Sequence, residues 1–128
     1  MAFEEAGTFS KRTITAAADL SAKQYYAISQ VGATADVATA AKAIDGILLD
    51  NPAAGKAGTI QFAGVSKAAV SASVTITGGT TMLEVDTGGT LKPVASGIVV
   101  AKALQSVVSN AAVNIIAVEL LPSNALQA

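Results

Sequence analysis

Cysteine, histidine and tryptophan are all missing from this chain. Without cysteine no disulfide can staple the fold and no thiolate can act as nucleophile or metal ligand. Without histidine the commonest general base and the ordinary zinc arrangements are gone. Charge is thin as well: 13% of residues are Asp, Glu, Lys or Arg, scattered singly, and the net charge is −1. A nucleic-acid binder needs a basic stripe, and the sequence has none. Lys102, Gln105, Ser109 and Asn110 break the most hydrophobic third, so no run reaches the roughly 18 apolar residues that cross a bilayer. The start, MAFEEAGTF, is acidic and lacks the basic and apolar regions of a secretory signal. The expectation is a soluble protein with no nucleic-acid or membrane partner, no cofactor and no metal site.

What is there is apolar but small. The composition is 52% apolar and only 4% aromatic, much of it alanine, in 128 residues that fit one domain. Burying a Val, Leu or Ile stabilises by roughly 1.5–3 kcal/mol, so a few large aliphatics must carry the core. A thin core beneath an alanine-rich, weakly charged surface points to apolar surface covered by partners.

The stretch from Val74 to Leu104 organises the rest. Val74 and Ile76, then Met82, Leu83 and Val85, then Ile98 and Val100 form short apolar runs, parted by Gly78-Gly79, Gly88-Gly89 and Gly97. Such runs between glycine turns predict antiparallel strands with tight connections. Upstream, Gln24–Val31 reads as a strand ended by Gly32, with Tyr26 and Ile28 on one face. Ala33–Ala43 is ambiguous between helix and strand and is read as strand, in keeping with its neighbours. Ile44–Leu49 is an apolar run stopped by Asp50-Asn51-Pro52. Thr59–Val65 alternates, with Ile60 and Phe62 facing one way and Gly64 marking a bulge or close approach; Ser66–Ile76 continues as strand after a turn near Lys67. Val107–Leu121 closes the domain. Val113, Ile115, Ala117 and Glu119 share one parity, and Asn114, Ile116, Val118 and Leu120 the other. A strand apolar on both sides is central or covered by another layer; on that reading Ile115→Asp unfolds the domain. The prediction is an all-β single domain of seven to nine short antiparallel strands, a small barrel or sandwich. Residues 1–15 are divided off as an N-terminal arm and 122–128 as a C-terminal tail, leaving 16–121 as the β domain. The first segment could be a partner-ordered arm anchored by Phe3 and Phe9, a first strand, or a floppy end.

Candidate chemistry is sparse. Glu84 and Asp86 stand two apart and would share a strand face, a spacing open to acid/base work or calcium. They also adjoin Thr87-Gly88-Gly89, where acidic residues occur simply as exposed turn neighbours, and that reading is preferred. Asp45 and Asp50 read as turn or edge residues. Gly78-Gly79 and Gly88-Gly89 could offer amides to an anion, but a phosphate loop needs a following helix and a placed lysine. Hairpin turns are expected instead. Lys11-Arg12 is a solvated pair or part of an arm's docking surface. No catalytic residue is assigned, and the chain is not expected to be an enzyme.

The order of segments nevertheless resembles one family. Tyr25-Tyr26, GILLDNPAAG at Gly46–Gly55 leading into TIQFAGV, the Val- and Ala-rich Ala68–Ile76, MLEVDTGGTLKP at Met82–Pro93, SGIVVAKALQSV at Ser96–Val107 and VNIIAVELL at Val113–Leu121 follow one another as in tailed-bacteriophage capsid decoration, or cement, proteins. The resemblance spans roughly 13–121. It implies a β-barrel or β-tulip fold on the outer capsid surface of a virion, stabilising the shell by bridging neighbouring major capsid protein subunits, and self-associated, with a trimer favoured. It makes the arm the lattice-gripping part, with Phe3, Glu4, Glu5, Thr8, Phe9, Lys11, Arg12 and Thr13 as candidate capsid contacts. The alternatives are another phage or cell-surface structural module (tail-tube or adhesin-like) or a small ligand-binding barrel.

Overall fold

A computed structural model describes residues 10–121, which turn residues cut into ten short strands. No α-helix occurs among the described residues. The strands are β1 (Lys11–Thr15), β2 (Ala27–Val31), β3 (Thr34–Val37), β4 (Gly46–Leu48), β5 (Ala57–Gln61), β6 (Gly64–Val70), β7 (Met82–Val85), β8 (Leu91–Pro93), β9 (Ala101–Ala103) and β10 (Asn114–Leu120). They form a five-stranded antiparallel sheet, β1-β5-β4-β2-β3, and a closed barrel, β10-β6-β8-β7-β9.

The sheet curls almost into a barrel of its own. A parallel bridge joins Ala16 to Ala35, and the Ala17 N–H donates to the Ala35 carbonyl at 2.7 Å, which draws its two outer strands together. Leu48 stands opposite Ile60 in the ladder, Ile28 opposite Gly46 and Ile14 opposite Gly58. Paired residues point to one face, so Ile14, Ile28, Leu48 and Ile60 meet inside the curl. Leu20, Ala16 and Ala35 complete that cluster. Gly46 has no room for a side chain, since a Cβ there would meet the Gln61 carbonyl oxygen at 2.7 Å.

The opposite face of the sheet belongs to the larger core. Ala27 and Ile47, paired across β2 and β4, pack with Leu83, Val85, Leu91, Ile116 and Val118 of the barrel. Small and large side chains share the barrel interior, Ala68, Ala101 and Ala103 beside these aliphatics, as a narrow barrel requires. The turn between β7 and β8 is docked rather than free: the Ala27 N–H donates to the Gly89 carbonyl at 2.8 Å. Gly89 has φ +96°, and a Cβ there would lie 3.1 Å from Val37 Cβ. Ala41, itself at φ 65°, donates to the Val85 carbonyl and accepts from the Ile98 N–H. Sheet and barrel are stitched by backbone as well as by side chains.

The all-β reading holds, and the detail differs from it in six respects. The described residues form ten strands where seven to nine were expected, and β6 pairs with β8 in parallel, Val70 opposite Leu91. The strand expected over Ala33–Ala43 is only Thr34–Val37, because the chain then turns to present Ala41 to the barrel. No turn falls at Lys67, which sits mid-strand between buried Ser66 and Ala68; its charge marks the outer face of β6. The break comes at Ala72-Ser73, with Ser73 at φ 63°. Lys11–Thr15, assigned to the arm, is β1 and pairs along its length with β5. Finally, β10 is not apolar-buried on both sides. Ile116, Val118 and Leu120 face the core, while Ile115 is 45% exposed, so the expectation that Ile115→Asp unfolds the domain is withdrawn. Residues 1–9 and 122–128, the rest of the expected arm and tail, lie outside the described residues.

Candidate interaction surface

Strand alternation puts the even residues of β10 in the core and leaves the odd ones outside. Register then carries that outer face across four strands. Met82 on β7 stands beside Lys102 on β9, Lys102 beside Glu119 on β10, and Glu119 beside Val65 on β6. The neighbouring row runs from Leu104, whose N–H donates to the Ala117 carbonyl, through Ala117 to Lys67. Val65 is 59% exposed, Ile115 45%, Met82 39% and Leu104 38%, so four large apolar side chains lie on one barrel face amid three charges. Isolated exposed aliphatics are ordinary, whereas several on one sheet face suit a docking surface. The sequence reading missed this face. Its signal was present, because Ile115 and Ala117 share parity with the charged Glu119, and charge belongs outside.

The sequence-derived contact residues are divided. Phe3, Glu4, Glu5, Thr8 and Phe9 fall outside the described residues. Lys11, Arg12 and Thr13 lie on β1. Arg12 is engaged by the fold: its Nη2 donates to Gln30 Oε1 at 2.9 Å and pairs with Asp45 at 3.4 Å, and its guanidinium lies 5.9 Å from the Phe62 ring centroid. Asp45 also accepts from the Gln30 N–H at 2.6 Å. This latch holds β1, β2 and the entry to β4 at one mouth of the curled sheet. Thr13 is exposed. Lys11 turns to the other side and lines a shallow groove with Tyr25, Leu49, Val65, Lys67 and Ala117.

The carboxylates are occupied with structure. Glu84 is not the exposed turn neighbour that was expected; it is 3% exposed beneath the segment that follows β8. Its Oε1 accepts from the Gly97 N–H at 2.6 Å, and Lys92 lies 3.5 Å from Oε2. Burial pushes its carboxyl up, but the Gly97 and Ala95 N–H groups and Lys92 together hold it below the usual range. Asp86 binds other partners, accepting from Ser71 Oγ at 2.6 Å and from the Thr87 N–H. The Ser71 hydroxyl chiefly, against some desolvation, keeps it below its ordinary value. The two carboxylates therefore hold different partners. Asp50 accepts from the Thr59 N–H and, like Asp45, is the turn or edge residue foreseen. Gly88-Gly89 forms the β7–β8 hairpin turn, and Gly78-Gly79 a turn before β7. Among the described residues no three metal-ligating side chains come together.

No protein-family model and no curated protein matches the sequence. The fold is similar to that of the N base of the head fiber protein gp8.5 of bacteriophage phi29, with a TM-score of 0.63 and 16% identity over 92% of this chain and 97% of that one. At that identity the likeness is one of fold.

Proposed function

We propose that this chain is a structural protein of a phage virion, seated on the outer surface of the head, where it stabilises the shell by bridging neighbouring major capsid protein subunits. The observation that carries the reading is the fold likeness, over nearly the whole of both chains, to a phage head fiber base, which is independent of the segment order that resembles decoration proteins. The apolar outer face of β6, β10, β9 and β7 supports it, since several exposed aliphatics on one sheet face suit docking to a partner. Contacts to several subunits make each later contact intramolecular and raise avidity; self-association as a trimer would suit threefold lattice positions.

The fold likeness also favours a second reading, in which the chain is the head-bound base of a longer fibre. Sedimentation of purified protein with expanded heads lacking it, with precursor heads and with isolated tails tests the shared part. Binding to expanded heads alone is expected, and absence from heads would reject both readings. Deleting residues 1–9 should weaken head binding while the fold persists. Raised resistance of coated heads to heat-driven DNA release then marks the stabilising protein; unchanged resistance marks the fibre base.

A further inference from the structure

The ladder between β9 and β10 stops short. Val118, Glu119 and Leu120 pair with Ala103, Lys102 and Ala101, and the same register carried on would set Ser106 against Ile115. The chain leaves instead. Val107 and Ile76 each donate an N–H to the other's carbonyl at 2.9 Å, and Ser106 Oγ accepts from the Gly78 N–H, which draws 106–107 away from β10. Gln105 fills the last rung with its side chain, Oε1 accepting from the Ala117 N–H at 2.7 Å.

Beyond that rung β10 has a bare edge. Ala117 turns its N–H to Gln105 and its carbonyl to the Leu104 N–H, so Ile115, two residues back, turns its own groups to the same side. Ala69, opposite Ile115 on β6, gives its N–H to the Tyr25 carbonyl instead. The Ile115 N–H and C=O therefore have no bonding partner among the described residues. Such an edge is a template for a further strand. It opens on a groove of about 360 Å³ between Asn114–Ile116 and the 105–110 segment, and no charged residue lines it. Exposed Val108 and Ile115 supply its apolar part. A charged entrant would give up hydration there without a counter-ion, whereas aliphatic side chains would cover Val108 and Ile115. The edge of a second folded copy would bring its body against the 105–110 wall; a single extended chain would not.

We propose that the β10 edge at Ile115 accepts one extended, uncharged segment of another protein, added to the barrel as a strand. Its main chain bonds to the Ile115 N–H and C=O, and its alternate aliphatic side chains cover Ile115 and Val108. This concerns one edge of the barrel wherever the protein is seated, so its failure leaves the head-surface reading standing.

The test titrates the full chain, 15N-labelled, with the capped peptide acetyl-Ser-Val-Thr-Ile-Thr-Val-Ser-amide. In the free protein the Ile115 amide should exchange with solvent at least about tenfold faster than those of Ile116 and Val118, and the peptide should slow it by about as much. The Ile115, Ala117 and Gln105 resonances should shift to saturation. The same peptide methylated at its internal backbone nitrogens should do neither, and nor should one with Glu in place of its Val and Ile residues. Ile115→Pro removes the N–H from an edge position, where proline is tolerated; it should keep the dispersed spectrum of the fold and lose the peptide. Four results would each overturn the proposal. The unmodified peptide gives no saturable shift; the methylated or the Glu peptide binds as well as it does; the Ile115 amide is already slow in dilute free protein, so the chain covers its own edge; or that amide slows with protein concentration alone, which gives the edge to a second copy.

Discussion

The curled sheet and the closed barrel enclose their interiors by different means. Strand pairing closes the barrel on every side, narrowest between β6 and β8, where Val70 opposite Leu91 is the one register pair, and many modest side chains fill it, alanine among them. The sheet meets itself through one bridge at Ala16–Ala35 and the Arg12–Gln30–Asp45 latch, around five large aliphatics, Ile14, Leu20, Ile28, Leu48 and Ile60. An exposed ion pair contributes only about 0–1 kcal/mol, so those five side chains, not the latch, hold the curl. The barrel spreads its stability over many contacts, and the sheet concentrates it in a few.

The largest effect separates the two faces of β10. Ile116→Asp puts an unpaired charge into the shared core and should unfold the protein, a loss above about 4 kcal/mol. Ile115→Asp, one residue away on the outer face, should stay within about 0.5 kcal/mol. Urea denaturation of both variants checks the contrast, and similar losses would show that the outer face is covered. Next, Leu48→Ala removes one of the sheet's five large side chains and should cost about 2–5 kcal/mol. Hydrogen exchange should show the loss in β1 to β5 and in the barrel together, because Ala27 and Ile47 tie both to one core. Loss confined to the sheet would make the regions separable.

The smallest effect is on acidity and reports on the barrel alone. Glu84 and Asp86 titrate lower in the fold than in the unfolded chain. Their stabilising contribution is therefore complete above the ordinary carboxylate pKa values of about 4.3 and 3.9. It is lost as pH falls through the lowered values. The thermal midpoint should drop below about pH 4, and Glu84→Gln should lower it at neutral pH while flattening that acid slope. An unchanged slope would mean Glu84 does not contribute to it.

Local rules made the strands legible where a strand's own residues decide its face. β7, its glycine turn and β8, the alternation through Ile60, and the stop at Asp50-Asn51-Pro52 follow from turn chemistry and period-two patterning. Lys67 and Ile115 were misread because each was judged apart from its strand's alternation: Lys67 stands between buried Ser66 and Ala68, and Ile115 shares parity with exposed Glu119. Gly46–Leu48 and Gly97–Val100 look alike in sequence, yet only the first is a strand; Gly97 instead gives its N–H to Glu84. The parallel step from β6 to β8 left no local trace, because register between distant segments is a property of the closed barrel. The interaction face was half legible, through the parity of Glu119, while the groove joins residues from β1 to β10 that no spacing rule connects.

The pairing of β10 with both β6 and β9 has a consequence during synthesis. Until the last of these strands has left the ribosome, two neighbours stand with bare backbone donors and acceptors. Such edges invite pairing between nascent chains. A message cut short after Val107 should yield polypeptide that collects in inclusion bodies, whereas one reaching Leu121 carries what is needed to close its own seam.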